Sequence, residues 1–138
     1  MPTGQNEITN SDDVIDSRSI IERIEYLTDE RDNYETTEEH NPVEQWAIDN
    51  PDEAAELAAL EALQEEAEGY SEDWKHGATL VRDSYFTKYA EELVRDIGDL
   101  PRDLPGYVAD NINWQGVAAD IQVDYTSVDF DGVEYWVR

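Results

Sequence analysis

The chain has 138 residues, the size of one ordinary domain, and 35 Asp and Glu against 9 Lys and Arg give it a formal charge of −26. With no cysteine and only His40 and His76 as imidazoles, the usual structural zinc, iron–sulfur and thiol-nucleophile sites are excluded, and no cofactor or metal is expected. No stretch approaches the roughly 20 apolar residues of a bilayer span, and residues 1–10 lack the basic and apolar runs of a secretion signal, so a cytoplasmic protein with no membrane partner is expected.

Residues 1–13 carry no periodic apolar pattern and read as a frayed, disordered leader. From Asp16 the pattern turns helical. Ile20, Ile21, Ile24 and Leu27 fall at helical spacing, Ser19 and Glu22 can form a capping box, and the helix is expected to end near Arg31. Asn41-Pro42-Val43-Glu44 and Asn50-Pro51-Asp52-Glu53 repeat one start signal, an Asn cap, a Pro at the first helical position and an acid in the first turn. The first of these helices is short and carries Trp46. The second runs over residues 51–68 to a stop at Gly69, with Leu57, Leu60, Leu63 and Ala67 as its buried stripe and Glu61, Glu65 and Glu68 on a neighbouring face.

Residues 78–97 place Phe86, Ala90, Leu93 and Ile97 on one helical face, flanked by Tyr85 and Tyr89 and stopped by Gly98. Beyond a Pro-bounded loop, Asn113 caps a short helix over 114–121 that turns Val117, Ala118 and Ile121 inward. Asp131-Gly132 then separates two β-rich runs, the strongest short-range hairpin signal. Two strands alone are marginal, so the hairpin must pack on a helix, pair with another chain, or gain a third strand, for which residues 98–110 are the candidate. The expected fold class is α+β: a mostly helical single domain over 14–138, with four to five helices and a C-terminal β-hairpin or small antiparallel sheet. Its acidic helical half spans 14–76 and its C-terminal half 77–138.

Carboxylates this abundant fall at every spacing by chance, so paired acids do not signal catalysis, and an enzyme is not expected. Asp129-Phe-Asp131-Gly132 has the alternation of a calcium loop, but its frame puts Ser127 first and Arg138 where the bidentate Glu belongs. Neither histidine lies in a Ser/His/Asp context, and the glycines are spaced as punctuation, not as a phosphate loop. The carboxylate array itself remains. B-DNA carries one charge per about 1.7 Å of axis, and a helix rises about 1.5 Å per residue, so acid-studded helices approach the charge density of a duplex. Such a surface repels nucleic acid and acidic membranes and fits the basic DNA groove of an enzyme. The densest local cluster is Glu61, Glu65, Glu66, Glu68, Glu72 and Asp73. The competing reading is that of a salt-loaded cytoplasm, in which acidity serves solubility.

Asn111-Ile-Asn-Trp114-Gln-Gly-Val117-Ala-Ala-Asp120-Ile-Gln-Val-Asp124-Tyr125, followed by Phe130-Asp131-Gly132-Val-Glu-Tyr135-Trp-Val-Arg138, resembles the closing segment of ArdA-type antirestriction proteins. There an I-D-W-x-x-x-A-x-x-L helix leads into D-Y and an F-D-G-x-x-Y hairpin. Thr79-Leu-Val-Arg82-Asp83-Ser-Tyr85-Phe-Thr-Lys-Tyr89-Ala is similar to the L-I-R-D-S-Y-F-x-x-Y-A run of small phage and mobile-element proteins that share this ending. The resemblance, over residues 78–138, implies a DNA-mimicking inhibitor of type I restriction–modification enzymes, elongated and often dimeric, acting through surface carboxylates without a cofactor. It adds Asp120, Asp124, Asp129, Asp131 and Glu134 to the expected contact residues. The chain departs from the family in being shorter than its three-domain members, in its helical front half, and in having Asn113 where Asp commonly precedes the Trp. Inhibition of another defence enzyme, such as a CRISPR effector, belongs to the same physical class. An acidic structural or adaptor protein that dimerises through its Tyr135/Trp136 edge belongs to a different one.

Overall fold

A computed structural model describes residues 6–35, 41–98 and 100–138. β1 (Val14–Asp16) leads into α1 (Ser17–Asp32), followed by α2 (Pro42–Asp49), α3 (Pro51–Ala67) and the single turn α4 (Trp74–Gly77). β2 (Thr79–Arg82) and a 3-10 turn at Asp83–Tyr85 open α5 (Phe86–Asp96). The short α6 (Gly106–Ala109), α7 (Trp114–Gln122) and the hairpin β3 (Thr126–Phe130) and β4 (Val133–Val137) complete the order. The fold is mixed α+β, and the five helices read from the sequence are α1, α2, α3, α5 and α7.

Local chemistry explains the helix ends. Asp16, not Ser19, caps α1: it is extended, its carboxylate accepts the Arg18 amide, and the helix begins three residues earlier than the capping-box reading places it. The Arg18 guanidinium, 2.7 Å from Asp16, holds that carboxyl below its usual range. Asn41 caps α2 through the Val43 amide. Asn50 closes α2 and opens α3, and its side-chain amide donates back to the Trp46 carbonyl, so α3 starts without a side-chain cap. In the hairpin turn Asp131 and Gly132 both take positive φ, 50° and 84°, the geometry that a two-residue connection between twisted strands requires.

The four strands pair antiparallel in the order β1-β2-β4-β3. Residues 100–110 contribute no strand; the third and fourth strands are β2 and β1. Residues 79–82, expected to open a helix over 78–97, are β2 because Leu80 and Val81 are buried on opposite faces of the sheet, a demand that a one-faced helix does not meet. One face of the sheet, through Leu80, Val128, Phe130, Tyr135 and Val137, joins Ile20, Leu27, Trp46, Leu57, Leu60 and Leu63 in the main core. On the other face Val81 and Trp136 meet Phe86, Ala90 and Ala118, with Phe86 edge-on to Tyr125 at 5.1 Å. The apolar stripe of α5 is buried only in its first turns: Leu93 is half-buried, and Ile97, beyond the helix, is 60% exposed.

The segment read as a disordered leader packs on the fold from residue 6 onward; residues 1–5 lie outside the described residues. Ile8 is buried and its amide donates to Glu56 Oε2. Arg82 Nε donates to the Asn10 carbonyl at 2.8 Å, the Asn10 side chain donates to the Asp131 carbonyl at 3.0 Å, and the Tyr135 hydroxyl donates to the Asp12 carbonyl. These partners are distant in sequence, so no local periodicity announces them.

Ser17 joins the helical half to the sheet. It is fully buried, its hydroxyl donates to the Trp74 carbonyl at 2.6 Å, and it accepts the Ala78 amide at 2.7 Å. Ser17→Ala leaves both backbone groups buried without that partner and is expected to cost about 1–3 kcal/mol in urea unfolding. A loss within error would mean that water replaces the hydroxyl.

Burial pushes the Tyr125 and Tyr135 phenols up to about 12, and at Tyr125 a hydrogen bond with Tyr89 adds to the effect. Because the folded values lie above the ordinary value of 10.0, the stability held by the neutral phenols is complete below pH 10 and is lost as pH rises through about 12. The urea midpoint is therefore expected to fall across that window. Tyr135→Phe should shrink the fall, and an equal fall in the variant would assign it to other groups.

Candidate functional site

The eleven carboxylates singled out by sequence lie on four parts of the fold. The buried stripe of α3 turns Glu61, Glu65 and Glu68 outward, with Glu66 beside them, and all four are exposed. Glu72 and Asp73 are exposed in the turn before α4, where the Asp73 carbonyl accepts the amides of His76 and Gly77. Asp120 and Asp124 are exposed on α7 and just past its end. Asp129, Asp131 and Glu134 are exposed on the hairpin, with Asp129 accepting the Gly132 amide at 3.3 Å.

The tertiary structure brings some of these together and separates others. Asp129 and Glu134 are opposite one another across β3 and β4. They line a shallow groove of about 200 Å³ with Ser127, Val128 and Glu66, so the α3 cluster and the hairpin cluster meet at the β3 edge. Asp131, at the hairpin tip, instead shares a cavity of about 370 Å³ with Glu7, Asp52 and Glu56. Asp120 and Asp124 line neither the groove nor the cavity, and α7 packs with α5 on the opposite side of the sheet from α3.

Two sets of acids were missed. Glu22, Glu25 and Asp29 are all exposed along α1, and their spacing of three and four residues, about 4.5–6 Å of rise, makes a stripe comparable to that of α3. That spacing was visible in the sequence. The approach of Glu7 and Asp52 to Asp131 was not, since it depends on the docking of residues 6–13.

The scarce cations leave this surface uncompensated. Among the described residues the ion pairs are Arg18 with Asp16, Arg23 with Glu56, Arg31 with Asp32, and Lys88 and Arg95 with Glu91. Among the described residues, none of the eleven candidate carboxylates is ion-paired. Nor, among them, do three or more His, Asp or Glu side chains converge to hold a metal ion. His76 is exposed, and His40 lies outside the described residues. Among the described residues no helix is long and apolar enough to cross a membrane.

The Tyr135/Trp136 edge considered for a homodimer is not a free edge. β4 lies between β2 and β3, Tyr135 is buried, and the half-buried Trp136 donates from Nε1 to Asp83 at 2.9 Å. No family model matches the chain, and neither a curated protein nor a solved structure matches it.

Proposed function

We propose that this chain is an acidic DNA-mimic inhibitor of a host type I restriction–modification enzyme and occupies the enzyme's DNA groove through its surface carboxylates. The observation that carries this reading is that all eleven candidate acids are exposed and none is held in an ion pair among the described residues. A carboxylate four residues on along a helix lies about 6 Å further along its axis, against about 3.4 Å per nucleotide on one DNA strand. Each acidic stripe thus offers roughly one charge for every two phosphates of a strand. The resemblance of residues 78–138 to the antirestriction ending points to the same class of target. The mechanism needs no cofactor: a basic groove is filled by a folded polyanion, association is steered by charge, and DNA is excluded.

A second reading, a solvating surface suited to high salt, is favoured by the spread of exposed acids onto α5 and α7 as well, where Glu92, Asp96 and Asp120 face solvent. Cleavage of unmodified DNA by a purified type I enzyme, titrated with this protein across a salt series, separates the two. Inhibition that competes with DNA and weakens as salt rises supports the mimic. Uninhibited cleavage at stoichiometric excess in low salt rejects this target, and the same titration against a CRISPR effector then tests the neighbouring class.

A further inference from the structure

Among the described residues the sheet ends at β3, and its outer edge has no neighbouring strand. Because Phe130 and Val133 close a two-residue turn, they form a hydrogen-bonded pair, as do Val128 with Tyr135 and Thr126 with Val137. The intervening residues, Ser127 and Asp129, therefore direct their N–H and C=O groups away from β4. No other backbone segment bonds to them among the described residues. This edge runs along the groove lined by Glu66, Asp129 and Glu134. An added strand would set alternate side chains beside Asp129 and Glu134 on one face of the sheet, and over Val128 toward Glu66 on the other. A second copy of β3 would bring the same acids against their like, which is unfavourable.

We propose that the β3 edge is a docking site for an extended, arginine- or lysine-bearing segment of a protein partner, which joins the sheet as a fifth strand. Backbone bonds to Ser127 and Asp129 supply the pairing, and the three carboxylates select the sign of the occupant's charge. Charge on a sheet edge ordinarily serves to prevent self-association; here the acids leave the edge open to one class of strand. This inference does not depend on the identity of the enzyme proposed above. A partner that uses it is recognised by main chain as well as by charge, which a bare polyanion surface cannot do.

The test is residue-resolved amide exchange on the full chain with a blocked peptide of alternating arginine and threonine. A peptide of the same charge, N-methylated at alternate backbone nitrogens, is the control. The unmethylated peptide is expected to slow exchange at Ser127 and Asp129 about tenfold or more, with little change at the already paired Val128 and Phe130, while the N-methylated peptide leaves the edge unprotected. Ser127→Pro, which removes an outward-pointing amide and is tolerated on edge strands, should abolish the protection at Asp129 and leave the thermal midpoint close to that of the unsubstituted chain. Equal effects of the two peptides would overturn the proposal in favour of bulk charge attraction. Unchanged exchange would overturn it outright, and slowing that appears with protein concentration alone would identify the occupant as a second copy.

Discussion

Replacing Glu56 with alanine is expected to lower the unfolding free energy by about 3–5 kcal/mol. Glu56 on α3 receives Arg23 of α1 in a two-bond fork, Nε to Oε2 at 2.8 Å and Nη2 to Oε1 at 2.7 Å, with side chains only 7% and 8% exposed. The same carboxylate accepts the Ile8 amide at 3.1 Å, and Arg23 lies 5.4 Å from the Tyr26 ring centroid. The hydrogen bonds that the guanidinium donates to Glu56 hold it more firmly charged than usual. Removing the acid takes the two-bond carboxylate partner from a buried cation and releases the amide that anchors the N-terminal segment. Removing both charges with volume kept, as in Arg23→Met with Glu56→Leu, should recover most of the loss, since a buried pair repays little beyond its own desolvation. Urea unfolding of the single and double variants checks both statements. A single-variant loss under about 1 kcal/mol would show that the pair is solvated and contributes no more than a surface ion pair does.

On the proposed function, reversing Glu61, Glu65 and Glu68 together to Lys is expected to weaken inhibition of a type I restriction enzyme about a hundredfold or more, with a shallower salt dependence. The fold should tolerate it. All three are exposed on the face of α3 away from its buried leucines, and like charges at this spacing cost only a few tenths of a kcal/mol per pair in either sign. The informative comparison is reversal of Asp120 and Asp124, which lie on the other side of the sheet. A mimic that engages the groove through α3 and the β3 edge predicts a much smaller loss there. A purely solvating surface predicts no selective loss at either set, and unchanged inhibition in the α3 variant would remove that cluster from the contact face.

The acids illustrate what a linear reading can reach. Exposure of Glu61, Glu65 and Glu68 followed from the leucine stripe that α3 must bury, and the α1 stripe of Glu22, Glu25 and Asp29 was available by the same arithmetic. Which acids share a face across elements was not available. Glu66 meets Asp129 and Glu134 only because α3 packs beside β3, and Asp120 is removed from Glu66 because α7 covers the other side of the sheet from α3.

By itself the sequence determined the α+β class, the helices α1, α2 and α3 of the acidic half, the Asn113-capped α7 and the Asp131-Gly132 hairpin. Caps, prolines, stripes and turn residues act within about one turn of chain, so their signals are local. Only the tertiary structure decided that residues 79–82 form a strand, that β1 supplies the fourth, that residues 6–13 dock, and that Arg23 and Glu56 pair out of solvent. Each depends on a partner far along the chain: Ile15 opposite Leu80, Leu80 opposite Val137, Tyr135 with Asp12, Arg23 with Glu56. Burial on two faces of a sheet and pairing of a charge away from water are conditions set by neighbours in space, and local pattern carries no trace of them.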